Sequence, residues 1–401
     1  MDALSAVIVG AAVGLCTGLV PGLHVNTLAA VAAAWFVVDP VLAYGLIAAG
    51  TVHTFVSILP ATYLGAPAED ASLSMLPAHR MRADGRAPEA VRISVLASLL
   101  AACLVVVALL PYKWLLGEPG RLAPWLESTT PWILGGVLVL LVLQDRRRVA
   151  AVAVMTLAGV LGTLAWTWPT SNPWHVPSSP LLPLLTGLFA APTLLVAMHE
   201  RSTMPWQRPA PRRIRSLWSA TSRGVGAAAF TAVLPGLTAA TATAIAHPLG
   251  RLDERRIIAT LSAVNTAHLG FALAMLWLLG RTRSGLADAA RPALDTMAWT
   301  AGAPPVDLWG AIVVFLGAGV LGAAGTLALE PAFRRVARIG QPLHVGVLVV
   351  LIVLVALLTG PWGVALFAAA TGVGLVPLAV GTRRVHLAAC LIVPILWRSV
   401  E

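Results

Sequence analysis

The chain has 401 residues, 58% hydrophobic and 11% charged, with a mean hydropathy of +0.85 and a formal net charge of +10. Soluble domains carry about 25% charged residues, so a soluble globular protein is excluded. The composition gives an all-α polytopic membrane protein with about 10–14 membrane segments. The positive charge lies in short loops between apolar runs, the positive-inside pattern of a membrane protein and not a nucleic-acid-binding surface. Cys16, Cys103 and Cys390 are scattered in apolar segments and form neither a disulfide framework nor a metal spacing.

Residues 4–20 and 27–38 are two short apolar arms around Pro21-Gly22. They are predicted to form a helical hairpin with its tip at membrane depth. Residues 41–59 follow as a span carrying His53 and Thr54. Pro60, Gly65, Pro67, Glu69 and Asp70 then forbid a simple lipid-facing helix. Asp70 suits the N-cap of a short helix; with Glu69 it is also a candidate to take a proton or Na⁺. His79-Arg80 could hold an anion by charge-assisted hydrogen bonds but suits an ordinary cytosolic anchor better. The loop 80–92 carries Arg80, Arg82, Arg86 and Arg92 and is assigned to the cytosol.

Spans are predicted at 93–110, 132–143, 149–165 and 181–197, with outer loops at 111–131 and 166–180 that are rich in tryptophan. The most basic loop, 199–223, divides the chain into a first membrane repeat (1–200), a cytosolic linker (201–222) and a second membrane repeat (223–401). The second repeat opens with a hairpin at 224–249 and a span at 257–279 bearing Asn265, Thr266 and His268. The loop 280–305 holds Arg281, Arg283 and Arg291 against the positive-inside count. Spans at 306–329, 343–358, 362–380 and 385–396 complete the chain.

The hairpins repeat. Gly18-Leu-Val-Pro-Gly-Leu-His-Val-Asn-Thr27 returns as Ala232-Val-Leu-Pro-Gly-Leu-Thr-Ala-Ala-Thr241, at an offset of 241 − 27 = 214 residues. By loop charge the first hairpin enters from outside and the second from inside, which makes the halves inverted repeats. A second echo pairs Thr186-Gly187 and Pro192 with Thr371-Gly372 and Pro377, but both copies run the same way. That pair breaks the inversion or marks a miscounted span.

A Pro-Gly break in a membrane helix leaves backbone groups that must find protein, water or ligand. Two matched breaks point to a transporter's binding site. The candidate substrate-binding residues are Pro21, Gly22, His24, Asn26, Thr27, Pro235, Gly236, Thr238 and Thr241, supported by His53, Thr54, Asn265 and Thr266. Glu69, Asp70 and His268 are candidates for ion coupling. The alternatives are packed proline kinks and interhelical hydrogen-bonding glue. The chain has no nucleophile elbow, P-loop or His-Glu-x-x-His helix, so no enzyme, metal or bound cofactor is expected.

The motifs at 18–27, 63–70, 76–80 and 263–267, with 281–285 and 383–387, resemble the large membrane subunit of tripartite tricarboxylate transporters, most closely its shorter archaeal-type members. The resemblance implies a permease for carboxylate anions in a prokaryotic plasma membrane. It also implies an ion gradient of Na⁺ or H⁺, a small membrane subunit and a soluble binding protein. The Pro-Gly repeats also resemble those of polyprenyl-phosphate carriers, which makes a lipid-phosphate flippase the first alternative. An intramembrane lipid-modifying enzyme with His24 or His53 as general base is the second.

Overall fold

The computed structural model describes residues 2–22, 29, 31–33, 36, 38–65, 75–118, 120–168, 179–200, 204–211, 214, 217–247, 253–281, 284–296, 298–299 and 303–399. Most of these residues are helical, and no strand occurs among them. Among them, eight helices are long and apolar enough to cross a membrane.

The first hairpin arm, α1 (Ala3–Leu19), starts at Asp2, whose carboxylate accepts from Ser5 N at 2.7 Å. It ends at Val20 (φ −97°, ψ 110°), whose N–H bonds Thr17 O, and Gly22 then turns at φ 78°. The following helix α2 (Pro40–Val56) is capped by Asp39 and started by a proline. It runs on through Ser57 into α3 (Ile58–Tyr63), so the span is longer than the sequence suggests. The helix survives Pro60 because the whole of α3 is buried in protein rather than lipid.

Next come α4 (Met75–Ala83), α5 (Ala87–Leu116), α6 (Leu122–Leu143) and α7 (Arg148–Thr167). The predicted outer loop 111–131 is mostly helix: α5 runs through Pro111 and α6 through Pro131, leaving only 117–121 as the connection. The next span consists of α8 (Leu181–Leu185), a π-helical segment (Thr186–Ala190) and α9 (Ala191–Glu200). The linker packs down rather than hanging free. Gln207 accepts from Ala87 N and donates to Arg82 O, both at 2.9 Å, and Arg208 N donates to Gly85 O at 2.7 Å.

The second hairpin is α10 (Trp218–Val233), the break at Pro235-Gly236, and α11 (Ala239–Ala246). Its break copies the first. Leu234 has φ −95° and ψ 127°, its N–H bonds Thr231 O, and Gly236 turns at φ 76°. Then follow α12 (Glu254–Leu278), α13 (Gly285–Ala290), α14 (Val306–Ala337) and α15 (Gln341–Val380). α15 is two arms meeting at Gly360, whose φ of 69° and ψ of −169° only glycine adopts readily. The stretch predicted as a last span, 385–396, is instead a 3₁₀ turn (Arg384–Ala388) and the ten-residue α16 (Ala389–Arg398). At 1.5 Å per residue α16 covers about 15 Å, half a bilayer core.

Helix directions follow from the contacts. A Cβ on Gly10 would lie 2.0 Å from Gly45 O, and one on Gly14 would lie 2.4 Å from Ala49 O. Both pairs differ by 35 residues (45 − 10 and 49 − 14), so α1 and α2 run parallel; the predicted hairpin tip beyond Gly22 and much of its returning arm, 27–38, lie outside the described residues. In the second half Gly224 meets Thr260 O, a difference of 260 − 224 = 36, and α10 runs parallel to α12. There α11 is the returning arm: His247, just past its end, bonds Thr260 at 2.9 Å, and Thr260 bonds Ala220 O near the start of α10.

α5 and α12 are parallel, with Ser94 on Ser262, Val105 on Gly270 and Tyr112 on Met275. α2 and α14 are parallel, with Tyr44 on Gly310, Phe55 on Gly322 and Tyr63 on Glu330. α5 and α14 are antiparallel: Val105 and Phe315 meet at Gly270, and Arg92 and Leu327 line one cavity. α1 and α10 therefore run in opposite directions. Each break lies level with the inside of its neighbouring span, since 21 + 35 = 56 falls in Pro40–Tyr63 and 235 + 36 = 271 falls in Glu254–Leu278. Both levels stand seven residues short of the span's end (63 − 56 and 278 − 271), or about 10 Å.

The second echo does not share this opposition. Gly187 faces Phe367 O and Gly374 faces Leu188 O, so the two copies pack parallel, as their loop charges implied. Arg281 finds an explanation in pairing: it bonds Glu127 of α6 at 2.5 Å, which offsets its charge.

Candidate functional site

The first break rests on the π-helical segment. A Cβ on Gly22 would lie 2.7 Å from Thr186 Cγ2 and 2.9 Å from Leu351. The second break rests on α16, where a Cβ on Gly236 would lie 2.6 Å from Ile395 and 3.3 Å from Leu391 O. The stretch from Arg384 to Ile395 joins these two places.

Arg384 is the group that sequence reasoning missed. It is 8% exposed. Its guanidinium donates to Thr193 Oγ1 at 2.6 Å, to Leu188 O at 3.4 Å and to Phe189 O, and lies over the Phe189 ring. A π-helical turn bonds i to i+5 and displaces carbonyls from the α-helical ladder, and two carbonyls of that segment accept from Arg384. Burial pulls Arg384 down to about 10, so it keeps its charge at neutral pH. Arg383 and Arg384 look alike in sequence, a pair of loop charges; only Arg384 turns inward.

Thr193 links this cation to a second polar group. A Cβ on Gly65 would lie 3.5 Å from Thr193 Cγ2 and 3.2 Å from His79 Nδ1. His79 Nε2 is 3.3 Å from the Arg82 guanidinium, which donates to Tyr63 O at 3.1 Å. Burial, then the charges of Arg82 and His344, lower His79 to about 4, so it is neutral at pH 7.

Pro21 and Gly22 are buried beside Thr186. Thr238 caps α11 through Thr241 N at 3.2 Å, and its hydroxyl lies 3.0 Å from that of Thr241. His53 bonds Thr17 at 3.2 Å across the α1–α2 seam, and Thr54 bonds Thr51 O. Asn265 and His268 are half-buried, and Thr266 Oγ1 is buried with no hydrogen-bond partner among the described residues. His24, Asn26, Thr27, Glu69 and Asp70 lie outside the described residues.

One buried acid–histidine pair exists among the described residues: His386 Nε2 lies 2.8 Å from Asp145 Oδ2. Asp145 also accepts from the backbone N–H groups of Arg147 at 2.9 Å and Arg383 at 3.1 Å. Its carboxylate thus clasps two loops together through three hydrogen bonds. No group of three or more His, Cys, Asp or Glu capable of holding a metal occurs among the described residues.

Among the described residues, eight helices long and apolar enough to cross a membrane define a multi-pass membrane protein. The chain belongs to the Tripartite tricarboxylate transporter TctA family, whose profile matches residues 4–389. This bears out the resemblance read from the motifs. It makes the chain a component of a transporter family, not of an enzyme family. Among curated proteins it is similar to an uncharacterized protein of Methanocaldococcus jannaschii, 25% identical over 291 residues, which is 70% of each chain. No solved structure matches.

Proposed function

We propose that this protein is a secondary-active permease for a small organic anion, such as a di- or tricarboxylate, in a prokaryotic plasma membrane. The observation that carries the reading is the pair of opposed hairpins, whose breaks flank the segment holding Arg384. Helix ends at Pro21-Gly22 and Pro235-Gly236 present backbone donors and acceptors at membrane depth. Arg384 adds a buried positive charge with five donors in a fork that matches a carboxylate. Thr186, Thr193, Thr238 and Thr241 add hydroxyls. Opposed hairpins suit alternating access, in which one half rocks against the other around a fixed site.

The ends bearing Arg82, Arg255 and Arg334 face the cytosol in this reading, and transport is driven by Na⁺ or H⁺. A small membrane subunit and a soluble binding protein complete the system, as the family's name suggests. Labelled citrate uptake into proteoliposomes, with and without a Na⁺ gradient and with and without a pH gradient, tests the proposal. Uptake is expected to be saturable and dependent on one gradient. Absence of uptake, together with rescue of a lipid-carrier recycling defect, would replace the reading with that of a lipid-phosphate flippase.

A further inference from the structure

The 3₁₀ turn that carries Arg384 also carries His386, which is 0% exposed. Its Nε2 lies 2.8 Å from Asp145 Oδ2. A carboxylate only accepts, so Nε2 holds the imidazole proton and Nδ1 the lone pair. Nδ1 is buried and has no hydrogen-bond partner among the described residues. Asp145 belongs to the short loop between α6 and α7, and that loop grips the turn at two further points. Asp145 accepts from Arg383 N at 3.1 Å, and the Arg147 guanidinium donates to Val380 O.

Gln144, in the same loop, donates to Ala244 O at 3.4 Å, close to His247, which bonds Thr260 near the start of α12. The pair therefore lies at the Arg255 end of the molecule, the end that the proposed permease turns to the cytosol. Of the elements packed on the turn, α6 and α7 lead into the loop with Asp145, Arg146, Arg147 and Arg148, and α11 leads to His247. The other charged groups of α6, α15 and α16 are Glu127, His344 and Arg398, each toward the far end of its helix. The turn and its cap add Arg384 and Arg383. Asp145 is thus the one acid set against His386.

A proton at Nδ1 would make an imidazolium–carboxylate ion pair, which Asp145 favours. It would also create a buried N–H without an acceptor, which costs about 1–3 kcal/mol and more for a charged group. Burial wins: it lowers the His386 pKa, aided by Arg383 and against the pull of Asp145. A conformation in which Nδ1 reaches water while Nε2 stays on Asp145 escapes that cost. It binds the proton more tightly, and such differential affinity is what lets a ligand shift an equilibrium. Swinging His386 about its bond to Asp145 moves the turn, and Arg384 with it. We propose that His386 Nδ1 is a proton-binding site, and that a cytosolic proton there swings the turn, draws Arg384 off Thr193, Leu188 and Phe189, and weakens anion binding. The anion part rests on the permease reading; the proton site does not. Neutral His386 holds the turn above the ordinary histidine pKa of about 6.5, and the hold is lost as the pH falls below it.

The test uses the full chain in detergent, in a background lacking Cys16, Cys103 and Cys390. Nitroxide labels are placed at Thr382→Cys beside the turn and at His199→Cys at the exposed end of α9. Spin–spin distances are measured at about pH 8 and about pH 5, the window in which a histidine changes charge. One narrow distribution is expected at the higher pH and a second, displaced one at the lower. His386→Gln keeps a donor for Asp145 but takes up no proton, and should hold the high-pH distance throughout. Citrate binding is compared between this variant and the parent, so that citrate's own ionisation cancels. On acidification the parent should lose about fivefold or more in affinity relative to the variant, the low end of an ordinary coupling between sites. A pH-dependent distance with no citrate binding in either protein would keep the proton site and remove the permease reading. A parent distance that ignores pH, a shift that persists in His386→Gln, or an equal loss of citrate affinity in both proteins would each overturn the proposal.

Discussion

Arg384→Gln is expected to lower the initial rate of organic-anion uptake by about a hundredfold or more. Removing one partner of a buried ion pair costs about 3–5 kcal/mol, and every 1.4 kcal/mol is about tenfold. Arg384→Lys keeps the charge but loses the planar fork, and should retain a rate between the two. Arg384 also holds the carbonyls of Leu188 and Phe189, so a structural loss must be separated from a loss of substrate binding. Reconstituted amount and melting temperature supply that separation. An Arg384→Gln protein that is folded and transports at the parent rate would remove Arg384 from the site.

Gly10→Ala is expected to destabilise the protein although alanine favours helix. Alanine in place of a mid-helix glycine gains about 0.5–1 kcal/mol. At Gly10 the added carbon would sit 2.0 Å from the carbonyl oxygen of Gly45. Only separation of α1 from α2 relieves that clash. Overpacking of this kind costs about 1–3 kcal/mol and would tilt the first break away from Thr186. Gly226→Ala, on α10 with nothing within 4 Å of the added carbon, should be neutral or stabilising. Gly224→Ala, 2.6 Å from Thr260 O, should resemble Gly10→Ala. Thermal unfolding of the three variants in detergent checks the order; equal melting temperatures for Gly10→Ala and Gly226→Ala would refute the close parallel packing.

The two breaks are legible in sequence because a Pro-Gly pair imposes a backbone conformation wherever it falls. Val20 and Leu234 share their dihedrals, and Gly22 and Gly236 share a positive φ, as the 214-residue repeat implied. Loop charge predicts opposed hairpins; the contacts of α2, α5, α12 and α14 set the first arms, α1 and α10, in opposite directions. The inward turn of Arg384 was not legible. Its neighbour Arg383 and the basic loops share its composition, and only the doubling-back of the chain after Gly381 sets one arginine against the π-helical segment. The same 3₁₀ turn explains the failed span at 385–396: an apolar run signals burial, and here protein rather than lipid supplies it. Pro111 and Pro131 read in sequence as loop boundaries, yet both are carried inside helices. Arg384 meets Leu188, Phe189 and Thr193 across nearly two hundred residues of chain, a proximity that no local spacing encodes.

The opposed insertion of the two hairpins is tested most directly by sided thiol labelling. In a background lacking Cys16, Cys103 and Cys390, single cysteines replace Ser5 at the start of α1 and Ser219 at the start of α10. A membrane-impermeant reagent should reach Ser5→Cys only from outside intact cells and Ser219→Cys only in inverted vesicles. Labelling of both positions from the same face of the membrane would contradict the account.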